Sequence, residues 1–177
     1  MKQEIYKGDP VHLFTESVTL PNGKKTTLEI IRHPGAAAVV PLLSDGTVVL
    51  IRQYRYAAGG FIYEIPAGKR SKGESPESCA LREVEEETGY RVGTLKKLTA
   101  ILTVPGFCDE VIHLYLGTNL VACVQQLDED EVIQIIKIPI RKAMKMIVDQ
   151  HIRDAKTIVA LQLAYAEAQR SGLIKTS

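Results

Sequence analysis

The sequence predicts an α/β fold with an antiparallel β subregion at its N-terminus. Three observations carry that prediction. Short β-rich runs punctuated by turn residues fill the first third of the chain, one strongly signalled helix follows, and after further strands two helical segments close it. A length of 177 residues suffices for one domain with a real core, and 45% hydrophobic with 24% charged residues is ordinary globular composition. A disordered chain and a stapled peptide scaffold are both excluded.

Each element has a local cause. Val11 to Leu20 and Lys25 to His33 are β-rich and flank Pro21-Asn22-Gly23, and Asn-Gly is the strongest short hairpin signal. The apolar runs Ala36 to Leu43 and Thr47 to Ile51, joined by Ser44-Asp45-Gly46, read as a second, more deeply buried hairpin. Phe61 to Pro66 reads as a short strand, and Ala67 to Gly73 as a polar loop with two glycines. Ser75 is a good N-cap, Pro76 fits the first helical position, Glu77 complements the helix dipole and Gly89 marks a stop, which predicts a helix over Pro76 to Thr88. Strands are expected at Leu98 to Thr103, Val111 to Leu116 and Val132 to Ile138, the first two separated by the turn-like Pro105 to Asp109. Helices over Arg141 to Asp149 and, behind an Asp154 N-cap, Ala155 to Gln169 complete the chain. No repeat or linker divides it, so one domain spanning residues 1–177 is expected, with residues 1–33 as its β subregion.

Charge and cysteine usage narrow the function. Lys plus Arg number 22 against 21 for Asp plus Glu, so no global field attracts nucleic acid or an anionic membrane. No apolar run is long enough for a membrane span and MKQEIYKGDP carries no apolar signal segment, which predicts a cytoplasmic protein. Cys79, Cys108 and Cys123 lack metal-ligand spacing and read as buried small hydrophobes. His12, His33, His113 and His151 are scattered and read as structural or exposed.

The middle helix carries the chemistry. Four glutamates, Glu83, Glu85, Glu86 and Glu87, crowd into five positions beside Arg82. Like charges at i, i+4 cost a helix about 0.2–0.5 kcal/mol per pair, so helix propensity does not explain them. Glu83, Glu86 and Glu87 stand at i, i+3, i+4, which puts three carboxylates on one face, a place for a hard cation such as Mg²⁺. A solvated acidic face is the alternative reading of the same helix.

From Gly68 to Tyr90 the chain reads G-x5-E-x7-R-E-V-x-E-E-x-G-Y, which resembles the Nudix box through Gly68, Glu74, Arg82, Glu83, Glu86, Glu87 and Gly89. The resemblance implies a Nudix-type α/β/α sandwich with a mixed sheet, in which this loop and helix bind divalent cations and hydrolyse a nucleoside diphosphate linked to another moiety. It makes Glu83 and Glu87 the principal metal ligands, with the backbone carbonyl of Ala67 or Gly68 completing the cluster and Glu86 a third ligand or supporting group. Arg82 would orient a neighbouring carboxylate through its fork, and Glu74 would pair with Arg82 or support the loop. Mg²⁺, with Mn²⁺ as a substitute, is the implied cofactor.

Sequence outside the box resembles the ADP-ribose pyrophosphatase branch of the Nudix hydrolases. The resemblance rests on His33-Pro34-Gly35-Ala36, Arg52-Gln53-Tyr54-Arg55, Glu64-Ile65-Pro66-Ala67-Gly68-Lys69 and Pro105-Gly106-Phe107-Cys108-Asp109-Glu110. It implies hydrolysis of ADP-ribose or a related nucleoside diphosphate sugar to a nucleoside monophosphate and a sugar phosphate. Arg55 would contact the diphosphate or terminal ribose, Glu110 the sugar hydroxyls and Glu29 the base, with Arg52 and Gly106 as further substrate contacts. Thr27 stands where some members place an adenine-stacking Arg, which leaves GDP-mannose and ADP-glucose as alternative substrates. The acidic stretch Asp128-Glu129-Asp130-Glu131 would be the mobile catalytic loop, with Glu131 ahead of Glu129 as general base. A homodimer through the N-terminal strands is implied, with Glu29 reading a base in the partner's site. An ADP-ribose sensor without turnover is the rival class. The full carboxylate set argues against it.

Overall fold

The structure, a computed structural model, describes residues 2–129 and 131–175. In chain order its elements are β1 (Lys2–Lys7), β2 (His12–Thr19), β3 (Lys25–Ile31), β4 (Ala36–Pro41), β5 (Thr47–Arg55), β6 (Gly60–Glu64) and β7 (Ala67–Lys69). Then come α1 (Pro76–Thr88), β8 (Tyr90–Leu102), β9 (Val111–Ala122), β10 (Ile133–Pro139), α2 (Ile140–Val148) and α3 (Ala155–Arg170). Strand β4 is buried at all six positions, which is what a continuous apolar run requires when both faces of a strand are covered.

Alternate residues of β4 serve two cores. Ala36, Ala38 and Val40 pack with Leu114 and Leu116 of β9 and with Ala160, Leu161, Ala164 and Ala168 of α3, whose small side chains let the helix lie close to the sheet. Ala37 and Val39 face the other way, onto Tyr115 and onto Cys79, Ala80 and Val84 of α1. The mixed four-stranded sheet β7-β4-β9-β8, in which β4 and β9 run parallel, is thus covered by α1 on one face and α3 on the other. That arrangement is the α/β/α sandwich expected from the sequence. A second, antiparallel sheet, β10-β5-β6, lies beside it, and β1-β2-β3 forms a separate antiparallel sheet at the N-terminus.

Four local readings are corrected by the structure. The runs joined by Ser44-Asp45-Gly46 do turn tightly, with Leu43 N–H donating to Thr47 O at 2.8 Å, yet β4 and β5 part into different sheets and share only the bridge Leu42–Val48. A turn fixes chain direction over a few residues; sheet membership is decided by distant partners, here β9 for β4 and β10 for β5. Ala67–Lys69 is a short strand rather than loop, recruited by backbone pairing to Ala36–Ala38. The strand β1 went unread because Lys2–Lys7 carries an apolar pattern too weak to signal it and is exposed throughout. Of the three cysteines only Cys79 is buried; Cys108 and Cys123 are half-buried.

Candidate active site

Helix α1 begins and ends where its sequence signals lie. Ser75 Oγ accepts the Ser78 N–H at 3.0 Å, and Gly89 closes the helix with φ of 66°. Beyond Gly89 the chain returns to cap the helix C-terminus, Cys123 N–H donating to Gly89 O at 2.7 Å and Gln126 N–H to Glu86 O at 2.9 Å. The helix is therefore held at both ends while its acidic face looks into a cleft of about 1080 Å³.

Glu83, Glu86 and Glu87 all line that cleft, whereas Glu85 turns away to pair with Arg91 at 2.9 Å. Glu83 and Glu87 are buried, and their pKa values rise for that reason first, with the Glu131 charge raising both further. Arg82 opposes the rise at Glu83; the Ala67 N–H, donating to Glu87 Oε2 at 2.8 Å, opposes it at Glu87. Arg82 is the organiser of this face: Nη1 donates to Glu83 Oε1 at 2.7 Å and to Glu86 Oε2 at 2.9 Å, while Nε reaches Glu74 Oε1 at 2.9 Å. Its hydrogen bond to Glu74 raises the guanidinium pKa and holds the Glu74 carboxyl below the usual range.

The donor set suits a hard divalent cation. Among the described residues no three potential ligands converge as the side chains stand, because Glu83 and Glu86 each have one oxygen drawn to Arg82 and Glu87 has one on Ala67 N–H. Each carboxylate keeps a second oxygen that accepts no hydrogen bond from the described residues. Burial lifts both pKa values more than the neighbouring donors lower them, and a divalent ion would oppose that rise. Gly68 makes the approach possible: a Cβ there would stand 1.9 Å from Glu83 Oε1. The Cys79 thiol, pushed up to about 12 by burial and then by Glu83 and Glu74, stays protonated and donates to Gly68 O at 3.4 Å.

The opposite wall comes from the second sheet and from α3. Gln53, Arg55 and Glu131 line it, as do Asp154 and Lys156 at the start of α3. Arg55 Nε donates to Glu64 Oε2 at 2.9 Å. Gln53 is 5% exposed and its Oε1 has no partner among the described residues. At the rim Glu110 accepts from Thr103 Oγ1 at 2.8 Å and lies 3.3 Å from His33 Nδ1.

The structure thus brings together Ala67, Arg82, Glu83, Glu86, Glu87, Arg55, Glu110 and Glu131. Other expected site residues lie off this wall. Glu29 is exposed on β3, Arg52 projects from the other face of β5 and covers the Phe61 ring at 4.6 Å, and Gly106 and Glu129 are exposed. Asp130 lies outside the described residues. Sequence reasoning missed Gln53, Glu64 and Lys156. Gln53 and Glu64 stood inside quoted motifs and could have been found from strand alternation with Arg55; nothing local signals Lys156.

Comparison with known proteins gives concordant matches. A model of the NUDIX domain matches residues 32–160. An ADP-ribose pyrophosphatase of Bacillus subtilis (strain 168) is 43% identical over 163 residues, covering 91% of this chain and 88% of that protein. A methanol dehydrogenase activator of Bacillus methanolicus is 43% identical, with 90% and 88% covered. A GDP-mannose pyrophosphatase of Yersinia enterocolitica is 36% identical, with 93% and 90% covered. A solved structure of an ADP compounds hydrolase superposes with a TM-score of 0.87 at 21% identity, covering 98% of this chain and 95% of that one, a likeness of fold.

Proposed function

The chain belongs to the NUDIX domain family, and from that premise we propose that it is a metal-dependent hydrolase of the diphosphate bond in ADP-ribose or a related nucleoside diphosphate sugar. The observation that carries the reading is the placement of buried Glu83 and Glu87 and of the Arg55 guanidinium on the lining of one cleft. Carboxylates alone would repel a diphosphate, and a cation alone would bind it without activating water.

Mg²⁺ or Mn²⁺, held by Glu83, Glu86, Glu87 and the carbonyl of Ala67 or Gly68, would supply the charge that polarises a phosphate oxygen and acidifies a bound water. The protein's own groups do the rest. Arg82 keeps Glu83 and Glu86 oriented without touching substrate. Arg55 takes a phosphate oxygen with its free nitrogens, and Glu110, steadied by the Thr103 hydroxyl, accepts from sugar hydroxyls. Glu131 removes the proton of the attacking water; its Oε2 accepts only the Asp128 N–H, at 3.2 Å, among the described residues. Products are a nucleoside monophosphate and a sugar phosphate.

The second reading, another nucleotide sugar such as GDP-mannose or ADP-glucose, stays open because Thr27 offers no guanidinium to stack on adenine. Glu29 and the exposed Ile5, Tyr6, Val11 and Leu28 of the N-terminal sheet support a homodimer in which that sheet reaches a second copy. Among the described residues no helix is long and apolar enough to cross a membrane. The test is a panel of ADP-ribose, ADP-glucose and GDP-mannose with product identification, with and without Mg²⁺. Release of AMP and ribose 5-phosphate that EDTA abolishes is expected; a metal-independent rate would overturn the reading.

A further inference from the structure

Among the described residues four cationic side chains line the cleft, and three of them already hold carboxylate partners through their terminal nitrogens. Lys69 pairs with Asp9. Arg82 is divided among Glu74, Glu83 and Glu86. Lys156 Nζ lies 2.6 Å from Glu64 Oε1 and 3.0 Å from Asp154 Oδ2. Arg55 is the one whose two terminal nitrogens are both uncommitted among the described residues: its Nε is on Glu64, and neither Nη donates to any of them. Its outward fork is what the cleft offers an incoming diphosphate.

What aims that fork is Glu64, whose two oxygens are divided between Arg55 and Lys156. The Glu64 side chain is 4% exposed and that of Lys156 12%. Buried charges are costly and gain little stability, so such a pair at a cleft wall calls for a reason. Lys156 is in turn fixed by α3: Asp154 caps the helix by accepting Thr157 N–H at 3.0 Å and Thr157 Oγ1–H at 2.6 Å, and Thr157 Oγ1 accepts the Ile65 N–H at 2.9 Å. A continuous set of contacts runs from the α3 N-terminus through Lys156 and Glu64 to Arg55.

We propose that Lys156 is a positioning residue for diphosphate binding: it locks Glu64, and Glu64 holds Arg55 with both terminal nitrogens turned to the substrate. The proposal rests on the reading of the cleft as a diphosphate hydrolase site. On this proposal Lys156, with its Nζ on Glu64 and Asp154, acts through Arg55 rather than on the substrate.

The test is a double-mutant cycle on the full chain with Mg²⁺ and ADP-ribose, using Lys156→Gln, Arg55→Gln and the double variant. Lys156→Gln is expected to raise KM about tenfold with a smaller change in kcat, since misaiming a binding group costs mainly ground-state and transition-state affinity alike. In the Arg55→Gln background the same substitution should change kcat/KM by less than about twofold, because coupled residues are not additive. Lys156→Arg should recover most of the loss. Wild-type KM in Lys156→Gln, or additive losses, would overturn the proposal. Should Lys156→Gln fail to fold with Glu64 left unpaired, Glu64→Gln/Lys156→Gln removes both charges and should show the same raised KM; an unchanged KM there also overturns it. If the wild-type chain hydrolyses no nucleoside diphosphate sugar, the functional reading falls instead. Calorimetric affinity for inorganic pyrophosphate with Mg²⁺ then decides this proposal, which an equal affinity in wild type and Lys156→Gln would sink.

Discussion

One missing methyl group sets the geometry of the acidic face. With a Cβ at position 68 falling 1.9 Å from Glu83 Oε1, Gly68→Ala must displace either the loop or the carboxylate. Its kcat should fall by about tenfold or more, since sub-ångström misplacement of catalytic groups is costly, while circular dichroism stays that of the wild type. Glu83→Gln and Glu87→Gln should each lower kcat by orders of magnitude, measured at saturating Mg²⁺. Their stability should move the other way. A carboxyl whose pKa is raised in the folded state makes its ionised form unfavourable above that pKa, so the neutral amide should raise Tm at neutral pH in EDTA. Gln53 allows a cleaner separation: replacing a buried amide whose oxygen lacks a partner by Leu should leave stability unchanged or raise it by up to about 1 kcal/mol in urea denaturation. The carboxylates were legible in the sequence because three acidic side chains on one helical face conflict with helix propensity. Gln53 was not, because an orphan atom exists only once the neighbours are in place.

Among elements, those with the strongest capping signals were read best. Helix α1 runs from Pro76 to Thr88 as its cap, proline and glycine require, and α3 starts behind Asp154 as expected. Removing the α1 cap with Ser75→Ala should cost about 1 kcal/mol by chemical denaturation. Strands fared differently, since β7 exists only because β4 lies beside it and β1 only because β2 does. The acidic loop shows the same divide. Its composition marked Asp128 to Glu131 as charged and solvated, but only the pairing of Ile133 with Gln53 and of Tyr54 N–H with Val132 O brings Glu131 against the cleft. Glu131→Gln should therefore lose about 10²-fold in kcat with KM little changed, and the acidic limb of its rate profile should disappear. Glu129→Gln, at an exposed position, should behave as wild type.

At the scale of the whole molecule the question is how the N-terminal sheet is attached. Only Phe14 of that sheet is buried among the described residues, so its hold on the body is polar. Ile31 N–H donates to Phe107 O at 2.7 Å, Arg32 bridges Glu16 at 2.5 Å and Asp109 at 2.9 Å, and His33 N–H meets Asp109 Oδ1 at 2.8 Å. Deleting residues 1–33 should accordingly yield an inactive or insoluble chain, and a soluble, fully active monomer would contradict the dimer. Acid should undo the same latch. The hydrogen bond from Arg32 holds the Glu16 carboxyl below its ordinary range, and at Asp109 the Arg32 and His33 donors outweigh a burial that acts in the opposite sense. Carboxyls depressed in the folded state contribute fully above their ordinary values, about pH 4, and lose that contribution as pH falls through the depressed ones. Between about pH 5 and pH 3, on either side of the ordinary carboxyl values, pepsin should begin to cut within residues 1–32 while the sandwich core resists. Arg32→Gln should already be cut at the upper end of the range and show little further dependence on pH. Equal cleavage of wild type and variant throughout would mean that the sheet is held by contacts other than this arginine.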